Sequence, residues 1–243
     1  MPSPRVAADE ALAFLSAHAD GHRAAQLQRF FRDPVSYYGV DYGAFKEWKS
    51  GFLDRLAARW GLDEAVQLCR ILLDDEHMEA RGLGYQVVGA FVGEAGPELL
   101  VQVREWLEGY CGNWGLVDNL APSVVTPLLR QHPGLAGAVK EWTSSPNRWV
   151  RRGAVVAFVG LAGEDPFRAA PYEVATALQG DGEDLTRKAV GWLLREAGKD
   201  DPARLEAYLL EQGPRMPRTT LRYAIEKFPE EERARIMAAT RRG

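Results

Sequence analysis

Apolar positions recur with helical spacing along nearly the whole chain. Val150, Ala154, Phe158 and Leu161 stand at i, i+4, i+8 and i+11, and Ala189, Leu193 and Ala197 repeat the spacing, each set forming one stripe along a helix. The run Val155 to Val159 is valine-rich enough to imitate a buried strand. The length of its periodic segment and the polar flanks favour helix. Breaks fall at Asp33-Pro34, Gly61, Gly96-Pro97, Gly112, Pro133-Gly134, Ser144 to Asn147, Gly163 to Pro166, Gly180 to Gly182, Asp200 to Pro202 and Gly213 to Pro217. The pattern predicts an all-α chain of about a dozen helices, each of roughly 10 to 17 residues, joined by short turns.

These helices form a repeat. RRGAVVAFVGLAGED at 151–165 aligns without gaps on TRKAVGWLLREAGKD at 186–200, an offset of 35 that matches Arg152 to Arg187, Ala154 to Ala189 and Gly163 to Gly198. A further step of 35 brings in Arg222 and Ala224, and Trp114 and Trp149 share the same spacing. A period in the mid-thirties made of helix pairs predicts an α-solenoid of HEAT-like repeats, in which each pair buries its apolar side against its neighbours. Such stacking gives a concave face lined by the second helix of each pair. The three arginines are expected near the starts of those helices, where backbone N–H groups also favour anions. A phosphate backbone or a protein partner fits that face.

With 243 residues, 46% hydrophobic and 26% charged, residues 1–243 are read as a single folded domain, and wholesale disorder is excluded. No apolar run is long enough to cross a membrane, and Asp9 and Glu10 interrupt what would be a signal peptide. The cytoplasm is therefore the expected compartment. Cys69 and Cys111 lie far apart without a CxxC pair and read as small core residues. His18 and His22 are four apart but bracket Asp20-Gly21, where a helix should end, so no metal site is expected. No glycine-rich phosphate loop or nucleophile elbow is present, and no cofactor is implied. The net charge is −4, but residues 1–120 carry 11 Lys and Arg against 18 Asp and Glu, whereas residues 121–243 carry 19 against 16. That asymmetry is compatible with a positive face on an acidic body, and equally with ordinary solvated helices.

Three segments carry more than the generic pattern: NWGLVDNLAP at 113–122, SSPNRWVRRGAVVAF at 144–158 and TRKAVGWLLREAGKDDP at 186–202, with FFRDPVSYYGV at 30–40 as a weaker companion. In order and spacing they resemble the AlkD family of DNA alkylation repair glycosylases, from about Leu27 to Phe228. The resemblance implies that Trp114 and Asp118 (WxxxD), Arg152 (within WVRR), and Trp192 and Arg195 (GWxLRE) line the concave DNA-binding groove. It further implies removal of cationic N-alkylated purines, such as 3-methyladenine and 7-methylguanine, from double-stranded alkylated DNA. On that resemblance the N-glycosidic bond is expected to be hydrolysed without flipping the base, leaving an abasic site, and with no lysine proposed as a nucleophile the expected enzyme is a monofunctional glycosylase without lyase activity.

The residue types suit that chemistry. An N3- or N7-alkylated purine already carries positive charge and leaves as a neutral base, so the positive charge that develops lies on the sugar. A carboxylate near C1′, for which Asp118 is the candidate, stabilises that centre and orients the attacking water. Trp114 and Asp118 share one helix face at i, i+4, and Trp192 is expected to supply a second aromatic wall that attracts the cationic base. Arg152 and Arg195 are expected to hold flanking phosphates. A monomer is expected. Taken alone, each residue also has a plainer reading: tryptophans in the core, Asp118 at a helix end, Arg151 and Arg152 on a solvated face, and Asp181, Glu183 and Asp184 as N-terminal helix charges. A non-catalytic module of the same fold that binds distorted or branched DNA is the competing function, and a protein-interaction scaffold is a third. The chain departs from the family pattern at Phe30, where a groove tyrosine is usual, and at Asp41-Tyr42-Gly43, in place of a Thr-Pro helix start.

Overall fold

A computed structural model describes residues 2–241. It is all-α. In chain order the helices are α1 (Pro4–Ala17), α2 (Gly21–Gln28), α3 (Tyr42–Ala57), α4 (Leu62–Leu73), α5 (Met78–Ala90), α6 (Leu99–Gly109), α7 (Trp114–Leu120), α8 (Thr126–Gln131), α9 (Ala136–Glu141), α10 (Arg148–Val159), α11 (Ala170–Ala177), α12 (Asp184–Ala197), α13 (Pro202–Gln212), α14 (Arg218–Ala224) and α15 (Glu230–Ala239). Consecutive helices pair as in an α-helical repeat, and the valine run lies inside α10 rather than in a strand. The chain divides into two compact units. One comprises Met1–Val103 with Ser123–Gln131, and the other Arg104–Pro122 with His132–Gly243.

Several helices are shorter than the apolar pattern suggests. α7 and α14 have seven residues and α8 and α9 six. Proline is the cause at two of these points. Pro122 has no N–H to return to the carbonyl of Asp118, and a π-helical turn, Ala121–Val125, follows α7. Pro133 opens a 3-10 turn before α9.

In the first unit, α1, α4 and α5 pack around Ala8, Ala11, Phe52, Leu68, Leu72 and Leu83. Ser3 caps α1 by accepting from Val6 N, and Pro4 occupies its first turn. Cys69 and Cys111 are both buried. Cys69 has a packing reason for its size: a Cβ added at Gly84 on α5 would lie 3.2 Å from the Cys69 Sγ and 3.3 Å from its Cα, so α4 and α5 approach closely there. Asp20 caps α2 through His22 N and Arg23 N, which places the helix boundary between His18 and His22, where the sequence puts it.

The extended segment before α3 is fixed by two carboxylates, Asp75 in the α4–α5 turn and Glu79 in the first turn of α5. Glu79 accepts from Tyr38 N (3.1 Å) and Gly39 N (2.8 Å), and Gly39 adopts a φ of 77°, where a side chain would also strike the Asp20 carbonyl. The Tyr38 hydroxyl donates to Asp75 Oδ2 at 2.8 Å, and its ring stacks on His77. Burial, reinforced by that bond to Asp75, pushes the Tyr38 hydroxyl up to about 12. Asp41 is the N-cap of α3, its Oδ1 accepting from Ala44 N at 3.0 Å, so the departure at Asp41-Tyr42-Gly43 still begins a capped helix. Phe30 and Tyr42 are 71% and 76% exposed.

In the second unit the helices form two layers. α7, α10, α12 and α14 lie side by side in one, and α9, α11, α13 and α15 in the other. Their register departs from a strict period of 35. The N-caps of the first layer are Asn113, Asn147, Glu183 and Pro217, spaced 34, 36 and 34 residues apart. Arg152 and Arg222 therefore stand five residues after their caps, together with Asp118 and Lys188, whereas Arg187 stands four after its own. Arg187 is instead equivalent to Arg151. Both arginines close the turn preceding their helix: Arg151 Nη1 donates to Ser145 O at 2.9 Å and Arg187 Nε to Asp181 O at 2.7 Å. Arg81 makes the same bond to Asp75 O in the first unit. Asp181 is more than a solvated helix charge, since it accepts from Glu183 N and pairs with Arg151 at 2.7 Å.

The contact between α12 and α14 is the tightest in this layer. A Cβ on Gly191 would lie 2.4 Å from the Tyr223 Cβ and 2.6 Å from the Thr220 carbonyl oxygen, and Thr220 Oγ1 donates to the Arg187 carbonyl. The glycine of GWxLRE thus lets the two helices meet. Gly191→Ala should lower stability by about 1–3 kcal/mol, seen as a lower urea midpoint with unchanged slope. A midpoint equal to that of the parent would mean that the helices do not close to this distance.

Candidate nucleic-acid interface and lesion cleft

All five residues singled out in the sequence line one cleft of about 320 Å³ in the second unit, together with Lys188, Tyr223, Leu185 and Ala189. Four consecutive helices of the layer build it: α7 gives Trp114 and Asp118, α10 gives Arg152, α12 gives Lys188, Trp192 and Arg195, and α14 gives Tyr223. Trp114 is the first residue of α7, immediately after the Asn113 cap, whose Oδ1 accepts from Leu116 N at 3.1 Å. A cap at that point fixes where the indole emerges and puts Asp118 one turn further along the same face. Neither Trp114 nor Trp192 is fully buried.

Asp118 is held by Arg152 through two parallel bonds. Arg152 Nε reaches Asp118 Oδ1 at 2.8 Å and Nη2 reaches Oδ2 at 2.7 Å, while Nη1 donates to the Leu185 carbonyl at 2.6 Å. The Arg152 side chain is only 7% exposed and that of Asp118 20%. Arg152 is not a solvated surface charge: three of its N–H donors are taken up by Asp118 and the Leu185 carbonyl. Its position inside the helix layer, with each of its three guanidinium nitrogens bonded, makes it the group that orients Asp118. Each carboxylate oxygen has a second lone pair, so Asp118 can still accept from a water in the cleft.

Arg195 lies further along α12. Its Nη1 donates to Glu226 and its Nε is 3.6 Å from Glu196 Oε1, with the side chain 21% exposed. The Nε lacks a hydrogen bond in this arrangement. A phosphate at this site has to compete with Glu226, a half-exposed carboxylate just beyond the end of α14. Lys188 pairs with Asp184 one turn earlier at 2.8 Å. Such exposed pairs contribute little and are readily exchanged.

Lys188 and Tyr223 are cleft residues that the sequence reading does not single out. For Lys188 a usable signal exists, since Asp118, Arg152 and Lys188 share the fifth position after their caps, but a fixed period of 35 hides it. Tyr223, 38% exposed, carries no motif. Trp149, the second residue of α10, lies outside the cleft, with the Arg148 guanidinium over its ring at 4.5 Å.

The cleft therefore combines two indoles, a phenol, a fixed carboxylate and cations at its margin. Among the described residues no group of three or more His, Cys, Asp or Glu side chains is arranged to hold a metal ion, and no helix is long and apolar enough to cross a membrane.

Comparison with known proteins bears on the fold and the family. A solved structure described as a predicted DNA alkylation repair enzyme from Enterococcus faecalis is similar in fold, with a TM-score of 0.78 at 15% identity over 88% of this chain and 98% of that one. No curated protein matches the chain. A family model for DNA alkylation repair enzymes matches residues 11–228, a span that includes every cleft residue, and the chain belongs to that family.

Proposed function

We propose that the protein is a DNA glycosylase that hydrolyses the N-glycosidic bond of cationic N-alkylated purines, such as 3-methyladenine and 7-methylguanine, without flipping the base out of the duplex, leaving an abasic site. The observation that carries this reading is the Asp118 carboxylate, fixed in plane by Arg152 in a cleft that also exposes Trp114 and Trp192.

As the C1′–N bond breaks, its electron pair passes to the purine ring and neutralises the cation, so the leaving group needs no proton. Positive charge develops on the deoxyribose. Asp118 faces that charge and, through its remaining lone pairs, holds the water whose oxygen attacks C1′; the water's proton leaves through Asp118 to solvent. The indole faces of Trp114 and Trp192 attract the cationic nucleotide, by roughly 0.5 to 2 kcal/mol per contact. Arg195 and Lys188 hold flanking phosphates, with Glu226 and Asp184 exchanged for phosphate oxygens on binding. Arg152 is a positioning residue: it aligns the carboxylate and ties α7 and α12 to α10.

Purified protein with methylated duplex in EDTA should release free alkylpurine. Asp118→Asn should lower the single-turnover excision rate at least ~100-fold while DNA affinity stays within about threefold or improves through lost repulsion. Excision within a few-fold of the parent would remove Asp118 from the reaction. DNA binding without any release of base from the parent would favour the non-catalytic module instead.

Arg152→Lys cannot make the bidentate contact and should lower the excision rate at saturating DNA by at least ~10-fold with little change in Kd. A loss confined to Kd would make Arg152 a phosphate contact after all. Glu226→Gln should tighten binding of any duplex by about two- to fivefold at low salt.

A further inference from the structure

The second unit contains a larger cavity, of about 770 Å³, whose lining includes Arg187, Arg215, Arg218, Arg241, Thr219 and Thr240 and no aspartate or glutamate. Several guanidiniums elsewhere in this unit are matched to carboxylates, as in Arg148–Glu183, Arg151–Asp181, Arg152–Asp118, Arg195–Glu226 and Arg235–Glu206. Here they are not. Arg187 donates to the Asp181 carbonyl, and Arg218 donates to the Thr240 carbonyl and hydroxyl and to the Met237 carbonyl, all of them neutral acceptors. Among the described residues, neither these two nor Arg215 and Arg241 forms an ion pair. Burial and the neighbouring Arg241 and Arg222 make Arg218 release its proton more readily than an ordinary arginine. Like charges gathered without counter-charge lower the stability of the fold, and a bound polyanion restores it.

The position of the cavity identifies the polyanion. α12 and α14 supply both this cavity and the lesion cleft: Arg187 adjoins Lys188 on α12, and Thr219 precedes Tyr223 by one turn on α14. One turn of helix is about 5.4 Å, and successive phosphates of one DNA strand advance about 3.4 Å along the duplex axis. A strand engaged at the lesion cleft therefore has its phosphates a nucleotide or a few away within reach of this cluster.

We infer that the arginine cluster of Arg187, Arg215, Arg218 and Arg241 is a second DNA-backbone site, which grips phosphodiesters beside the lesion and is separate from the residues that cleave the bond. It rests on the reading of the protein as a DNA alkylation repair enzyme. It fixes the orientation of the duplex without reading sequence.

The test uses the full chain with Arg215→Gln and Arg241→Gln combined, since both residues are exposed and neither forms an ion pair. Binding of an unmodified and a methylated duplex of about 24 base pairs is followed by fluorescence anisotropy across a salt series. The double variant should bind both duplexes at least about fivefold more weakly, with a salt slope smaller by nearly two, one for each phosphate no longer neutralised. The excision rate at saturating DNA should be unchanged. Unchanged affinity and slope overturn the inference, as does an equal loss in Arg168→Gln, which removes an exposed guanidinium already paired with Asp165. Binding of inorganic tripolyphosphate that the double variant abolishes while duplex affinity stays intact also overturns it, by making the cluster a small-anion site. The two readings fail separately. If the parent binds DNA but excises nothing and the double variant still loses affinity, the glycosylase falls and the backbone site stands. If the parent excises and the variant binds normally, the reverse holds.

Discussion

The geometry of the cleft depends on one guanidinium. Arg152 sits in the middle helix of three, bonds a side chain on α7 and a backbone carbonyl at the start of α12, and is nearly removed from water while doing so. In helical repeats each element contacts only its neighbours, so the relative rotation of successive helices is set locally and errors accumulate. A planar fork that spans three neighbouring helices of the layer limits that accumulation where the cleft side chains converge. The arrangement is costly to break by halves, because removal of one partner leaves a desolvated charge behind, a loss of about 3–5 kcal/mol when the pair is well buried. The same bonds that stabilise the layer therefore determine the direction in which the Asp118 carboxylate faces.

Charge in the second unit is distributed less simply than its composition suggests. An excess of basic residues after position 120 reads as a positive face, yet several of those arginines, among them Arg148, Arg151, Arg152, Arg187 and Arg235, are committed to carboxylates or to closing turns. Acidic partners are missing or loosely held at the margin of the cleft, at Lys188 and Arg195, and in the cavity bounded by α12, α14 and the residues that end α15. Net charge is a sum, and the field at a binding surface is governed by which charges have already been neutralised by neighbours.

Much of this is legible in the sequence, and the exceptions have physical reasons. Apolar stripes such as Val150, Ala154 and Phe158 are local patterns, and they locate α10 because helix periodicity is a local property. Gly and Pro clusters mark the turns for the same reason. The pairing of Trp114 with Asp118 is also local, one turn on one face. The partnership of Asp118 with Arg152, 34 residues away, depends on how two helices pack, which no spacing rule specifies. Sequence reasoning assigns Arg152 only a phosphate, and its bond to the Asp118 carboxylate becomes visible through packing. A constant period of 35 misplaces Arg187 by one residue, because the repeat is 36 long at that point, and Pro122, which ends the α-helical hydrogen bonding after α7, does not stand out among the glycine and proline clusters.

The alternation of 34 and 36 residues between helix starts has a consequence for how such a chain can change. At 3.6 residues per turn, one residue added to or taken from a helix turns everything beyond it by about 100°, whereas one added in a turn between helices can be absorbed by the loop. Lengthening of the connecting turns leaves the phase of Asp118, Lys188 and Trp192 intact; an insertion within the first turn of α7 or α12 carries them off the cleft face. The first layer of helices thus behaves like a combination lock whose wheels are set individually, so drift in length is confined to the connections while the order of side chains around the cleft stays the same.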